Sequence, residues 1–181
     1  MSPALWLLMA VVVDALVGDP RWLPHPIRWM GAAIARGEAL MRSLPLAPVI
    51  SGGLLAVGLI GGTWAIAWGA LSIAAGVHPL LGAFLHVTML FYCLSARSLA
   101  DAAMGVWQLL TRGDLPCARR AVGMIVGRET AELDTSGVTR AALETVAENL
   151  VDGVVAPLFW AAMGGAPLAL AFKMTNTLDS M

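Results

Sequence analysis

Apolar residues run without a single charged side chain from position 43 to 96, between Arg42 and Arg97. One helix cannot hold such a run, and no soluble domain of this size needs it. Gly76-Val77-His78-Pro79 punctuates it, since glycine and proline interrupt helices. The pattern therefore predicts a hairpin of two membrane segments, 46–75 and 80–96. At 1.5 Å per residue the first reaches about 45 Å, so it tilts or extends beyond the hydrocarbon. An earlier apolar segment, 3–17, is short for the roughly 20 residues that cross a bilayer. It reads as a short span in preference to a helix embedded from one side. A last uncharged segment, 153–172, is broken by Pro157 and by Gly164-Gly165-Ala166-Pro167. Its pattern fits either a span or a bent, re-entrant segment whose freed backbone groups are satisfied by protein or water. Polar regions 18–45 and 97–152 lie between these segments, and the second contains a predicted helix over 138–151. The expected class is an all-α integral membrane protein. Several transmembrane helices are joined to an Arg-containing cytoplasmic helical region in one polytopic domain, 1–181.

Composition supports that class: 59% of residues are apolar and 13% are charged, against roughly 45–50% and about 25% in soluble domains. The net charge of -1 gives no reason to expect a nucleic-acid partner. Cys93 and Cys117 are the two cysteines, too few for a disulfide framework, and read as free thiols. The amino-terminal segment lacks a preceding positive charge, carries Asp14, and runs into Gly18-Asp19-Pro20, so it reads as retained and not as a cleaved signal. Arginines fall between positions 21 and 42 and between 97 and 140, and none lies at the His78 turn. A hairpin returns the chain to the side it left, so both Arg-containing regions share one face. The positive-inside rule makes that face cytoplasmic and places the His78 turn outside.

Common nucleotide and metal signatures are missing: the chain has no Gly-x-Gly, no His-Glu-x-x-His and no Cys-x-x-Cys. Three polar clusters remain. The first joins Asp14 to Gly18-Asp19-Pro20 and His25-Pro26, where closely spaced prolines forbid a continuing helix. A structural elbow anchored by Trp22 and Trp29 explains the loop equally well, whereas an ionisable residue within an apolar segment, Asp14, points to function. The second cluster begins at Gly127-Arg128-Glu129-Thr130 and continues along a helix carrying Arg140, Glu144, Glu148 and Asp152 every four residues, hence on one slowly drifting stripe. An Arg140–Glu144 ion pair on a solvated face explains Glu144 alone. With Asn149 nearby, Glu144, Glu148 and Asp152 form a candidate Mg²⁺ set, because that ion prefers oxygen ligands and commonly shares them with substrate phosphates. The third cluster, Lys173-Met174-Thr175-Asn176-Thr177-Leu178-Asp179-Ser180, contains the chain's lone lysine. That lysine is either a topological anchor or a point charge for a phosphate, with Asn176 and Asp179 orienting substrate or metal. Arg119 and Arg120 read as interfacial arginines.

In order along the chain, these clusters resemble the adenosylcobinamide-phosphate synthase family of cobalamin-biosynthesis membrane proteins. The resemblance is carried by Asp14 with Gly18-Asp19-Pro20 and His25-Pro26, by Arg97-Ser98-Leu99, and by Gly113-Asp114-Leu115 with Ala118-Arg119. It is strongest in Val126-Gly127-Arg128-Glu129-Thr130, in the segment from Glu144-Thr145-Val146-Ala147-Glu148-Asn149 through Asp152-Gly153 to Pro157-Leu158-Phe159, and in Asn176-Thr177-Leu178-Asp179-Ser180-Met181. Two departures stand out. The family pattern Arg-Asp-Thr is here Arg128-Glu129-Thr130, which moves the carboxylate out by one methylene. The chain also stops at Met181 inside a family motif, and so is expected to be the amino-terminal part of a longer protein.

The resemblance implies ATP-dependent amide formation between adenosylcobyric acid and aminopropanol or aminopropanol O-phosphate. It also implies a bacterial inner-membrane location with the motif-bearing loops cytoplasmic. The implied cofactor is Mg²⁺, with ATP as co-substrate. Expected partners are the corrinoid substrate, the amino alcohol and membrane lipid, with a second copy of the chain or other cobalamin-biosynthesis enzymes left open. The expected catalytic residues are Asp19, His25, Arg128, Glu129 and Glu148. Asp14, Arg128, Asn149, Lys173, Asn176 and Asp179 are expected to bind substrate or nucleotide, and Glu144, Glu148 and Asp152 the metal. A non-catalytic membrane scaffold or sensor for corrinoid-handling enzymes is the competing class. A transporter is a third, suggested by the broken last segment and Asp14.

Overall fold

The structure is a computed structural model, and it describes residues 3–19, 26–127 and 129–181. Among the described residues the elements are all helical, with no strand. In chain order they are α1 (Pro3–Val17), α2 (Pro26–Arg42), α3 (Pro48–Val77), α4 (Pro79–Phe91), α5 (Ala96–Thr111), α6 (Leu115–Gly123), α7 (Thr135–Leu150), a π-helical turn (Val151–Val155) and α8 (Ala156–Asp179). Three helical stretches are long and apolar enough to cross a membrane: α3, α4 continued into α5, and the run from α7 through α8.

Local chemistry sets the breaks. Prolines open α3 and α4, where the missing N–H is no loss. His78 closes one helix and opens the next: its extended backbone ends α3, and its Nδ1 accepts the N–H of Leu80 at 3.2 Å. The segment expected over 80–96 stops instead at Phe91. At Ser95 the backbone N–H leaves the helical ladder and donates to the carbonyl of Gly153, 3.0 Å away. A neighbouring element thus takes the hydrogen bond that would have continued α4.

The broken segment folds back on itself. Gly164 and Gly165 are non-helical, and Gly165 has φ +69°, a conformation glycine adopts without penalty. Trp160 and Phe172 stack with ring centroids 6.4 Å apart, although twelve residues of continuous helix would separate them by about 18 Å. One arm, 156–163, therefore descends from Gly153 beside Ser95, and the other, 166–179, returns. His86 lies beside Ala166, while Thr88 and Tyr92 line a cavity with Leu170 and Met174. The returning arm consequently runs in the direction of α4, and both feet of the hairpin lie at the Ser95 end of the bundle. The arrangement has the form of a re-entrant hairpin, with Phe159 and Met163 exposed on its descending arm. Its returning arm buries Ala166, Ala169, Leu170, Lys173 and Met174.

α8 packs on α3 and α4, α1 packs on α4, and α2 packs on α3. Small side chains permit close approach in such bundles: a Cβ on Gly82 would sit 2.9 Å from Ala75. Gly58 and Gly62 meet no neighbour within 4 Å. Beyond the bundle, α5, α6 and α7 enclose a second core of Val106, Ala118, Val122, Val138 and Ala141.

Candidate functional site

Residues 92–98, the turn into α5, are where the three polar clusters meet. Asp14 arrives from the last turn of α1. It is 1% exposed, and its Oδ2 accepts the N–H of Arg97 at 3.2 Å. A carboxylate there meets the positive end of the α5 dipole. Among the described residues its Oδ1 is buried without a hydrogen-bond partner. Gly18, at φ +63°, turns the chain back along α5, and a Cβ there would lie 3.1 Å from Arg97 Cγ. Asp19 then donates its backbone N–H to Ser98 Oγ at 3.1 Å, and Ser98 Oγ donates in return to Asp19 Oδ2 at 3.1 Å. Arg97 closes the arrangement by donating Nη1 to the Ala15 carbonyl at 2.9 Å, with its Nε on Asp101. Two acidic side chains, one from the last turn of α1 and one just beyond it, thus hold the first turn of a helix far away in sequence.

The second cluster reaches this turn through its carboxyl end. In the π-helical turn the Ala156 N–H bonds to the Val151 carbonyl, and the residue four beyond Gly153 is Pro157, which has no N–H, so the Gly153 carbonyl is left to accept from Ser95. A Cβ on Gly153 would overlap Ser95 Oγ, so a larger residue there obliges that hydroxyl to turn away from the junction. Asp152 is half-buried beside the junction, whereas Glu144, Glu148 and Asn149 lie on exposed α7. Asn149 donates Nδ2 to the Thr145 carbonyl at 2.9 Å. Glu129 is exposed in the loop between α6 and α7.

The carboxylates of this cluster do not gather into one group among the described residues. Among the described residues no ion pair joins Arg140 to Glu144; the pairs that form are Arg42–Glu38 and Arg97–Asp101. Nor does any group of three or more His, Cys, Asp or Glu come together to hold a metal. A stripe at every fourth residue spreads Glu144, Glu148 and Asp152 over about 12 Å, and the π-helical turn rotates Asp152 off the stripe. Mg²⁺ needs its ligands about 2.0–2.1 Å away, so at most part of this set could share one ion, with substrate phosphates and water completing the shell.

The third cluster arrives on the returning arm of α8. Lys173 is 9% exposed and lies within electrostatic reach of Cys93. Among the described residues its ammonium has neither a hydrogen bond nor an ion pair. Asn176 is half-buried and Asp179 is exposed, one and two turns on. The turn thus gathers Asp14, Asp19, Asp152 and Lys173. His25 and Arg128 lie outside the described residues. Arg119 donates Nε to the Leu133 carbonyl at 2.6 Å and pins the loop before α7.

Residues 7–181 match the model of the family described as CobD/Cbib protein. The chain belongs to that family. It is 47% identical over 176 residues to the cobalamin biosynthesis protein CobD of Klebsiella pneumoniae and 46% identical over 176 residues to CbiB of Salmonella typhimurium. It is 50% identical over 175 residues to CobD of Geobacter metallireducens. These alignments cover 96–97% of the chain and 55% of each relative, so the chain spans about half the length of the curated family members it matches. No solved structure matches it. Ser95 and His86 are contributors that sequence reasoning missed. His86 carried the same signal as Asp14, a polar side chain inside an apolar run.

Proposed function

We propose that the chain acts in cobalamin biosynthesis by joining a carboxylate of adenosylcobyric acid to aminopropanol or its O-phosphate, at the bundle face around residues 92–98. The observation that carries the reading is the convergence there of Asp14, Asp19, Asp152 and Lys173, in a family whose members are named for this pathway.

Oxide is too poor a leaving group for an amine to displace. The carboxylate is therefore first phosphorylated by ATP, giving an acyl phosphate and ADP. The amine then attacks the acyl carbon, the C–N bond forms, and inorganic phosphate leaves with the former carboxylate oxygen. Lys173, an ammonium without a hydrogen bond or ion pair among the described residues, lies against the transferring phosphoryl group, where preorganised positive charge stabilises it. Asp19 takes the proton of the attacking amine, with His25 as the alternative base; Arg128 joins Lys173 on phosphate, and Asn176 and Asp179 orient the nucleotide. Glu148 and Glu129 stand as further catalytic candidates. Any Mg²⁺ enters with the nucleotide, held chiefly by its phosphates. The face around residues 92–98 is cytoplasmic in the bacterial inner membrane, where ATP is available.

The test is ATP-dependent conversion of adenosylcobyric acid with aminopropanol O-phosphate and Mg²⁺ by membranes containing this chain, beside membranes holding the full-length Klebsiella relative. Product from wild type, and an at least about hundredfold loss in Lys173→Ala with insertion intact, supports the reading. An inserted chain that forms no product, while the relative does, rejects catalysis by this chain alone and makes it an incomplete part of the synthase; product from neither favours the scaffold.

A further inference from the structure

We infer that His86 is a positioning residue: an intramembrane cap, supplied by α4, that holds the turn of the re-entrant hairpin and so sets where Lys173 meets residues 92–98. The inference rests on the role given to Lys173 above.

A helix begins with backbone N–H groups that have no partner in its own ladder, and inside a bilayer there is no water to take them. The returning arm begins at Ala166, directly after two non-helical glycines. Its next residue, Pro167, has no N–H and so removes one such donor. The Ala166 N–H is accepted by His86 Nε2 at 3.4 Å. Accepting at Nε2 requires the lone pair there and places the ring proton on Nδ1. His86 therefore does for this arm what a side-chain N-cap does for an ordinary helix, but across 80 residues of sequence.

Two further contacts fix the ring. Trp6 of α1 lies over it with centroids 4.4 Å apart, and Gly165 packs so closely that a Cβ would come within 3.0 Å of His86 Cε1. The apex is thus held jointly by α1, α4 and the turn itself. From Ala166 to Lys173 the arm is continuous helix, about 10 Å long, and Ala166 and Ala169 are fully buried along it. A rigid arm of that kind carries any shift or rotation at the cap to the ammonium at its far end.

The experiment places a single cysteine at Lys173→Cys in a chain carrying Cys93→Ala and Cys117→Ala. It measures alkylation by a membrane-impermeant maleimide with His86, His86→Gln, His86→Phe or His86→Ala. Amide formation is measured in parallel with Lys173 and both native cysteines in place. Glutamine retains an acceptor; phenylalanine fills the space without one and keeps the test open where alanine fails to insert. The expected result is an alkylation rate changed about tenfold in His86→Phe and His86→Ala, as one orphaned buried donor implies. His86→Gln should stay near wild type, and kcat/KM should follow the same order. Wild-type labelling and turnover in His86→Phe, or equal damage in His86→Gln, overturns the proposal and makes His86 a packing residue. Altered labelling with intact turnover leaves the cap standing and removes Lys173 from the reaction.

Discussion

The α5–α7 module and the membrane bundle solve one problem, the unpartnered groups at helix ends, in opposite ways. In the module, Asp114 caps α6 by accepting the N–H of Cys117 at 3.0 Å, and Asp134 caps α7 by accepting that of Gly137 at 2.7 Å. Each cap lies three residues from its partner. Where the bundle meets the module, Asp14 of α1 caps α5 from 83 residues away, and Ser95 and Gly153 join across 58. The module can also lean on water at its surface, whereas the bundle must find every partner inside protein. Distant caps hold elements together as well as satisfying them, so the polar groups of the bundle are concentrated where chain segments cross.

The comparison breaks most severely at Asp14. Replacement by alanine removes a charged acceptor from a buried helix start and should cost about 2–3 kcal/mol, with loss of insertion or of thermal stability in detergent. Asp14→Asn, which keeps an oxygen acceptor, should be milder. Equal stability of Asp14→Ala and wild type would reduce the contact to incidental packing. Gly165→Ala comes next. A side chain in the left-handed region costs roughly 1–2 kcal/mol, and His86 must also give way, so the thermal midpoint should fall further than for Gly105→Ala, where a Cβ meets nothing within 4 Å. In the module, Asp134→Ala should cost about 1 kcal/mol and raise amide exchange in α7 while leaving the hairpin unchanged; loss of hairpin protection would show that the two regions are not independent.

The smallest effect is a dependence on pH. Hydrogen bonds to Cys117, the thiol first and the backbone N–H second, hold the Asp114 carboxyl below its ordinary range. A depressed folded value means that the stabilisation is present above the unfolded pKa of about 3.9 and is lost as pH falls through the lower, folded one. Exchange protection in α6 should therefore weaken only in strong acid. Asp114→Asn should abolish that pH dependence, and its persistence would assign it to another group.

These differences also explain what could be read from the chain. The all-helical class and the long apolar helices follow from uninterrupted apolar runs, and Asp14 stood out as a charge among apolar neighbours. The His78 break was legible because glycine and proline act locally. Convergence on residues 92–98 was not, since it depends on partners tens of residues apart. The Glu144, Glu148 and Asp152 stripe is legible only as a shared helical face: spacing by fours does not say whether groups meet at one point, which metal binding needs. The last apolar segment carried its breakers openly, yet only the Trp160–Phe172 stack distinguishes a fold-back from a bent span.

That fold-back delivers Lys173 to the site, and it can be measured by sidedness. Single cysteines at Ala156 and Asp179, in chains carrying Cys93→Ala and Cys117→Ala, would be labelled with an impermeant reagent in sealed, oriented vesicles. The account predicts labelling of both positions from the same side. Labelling from opposite sides would make 156–179 a transmembrane span and dissolve the site.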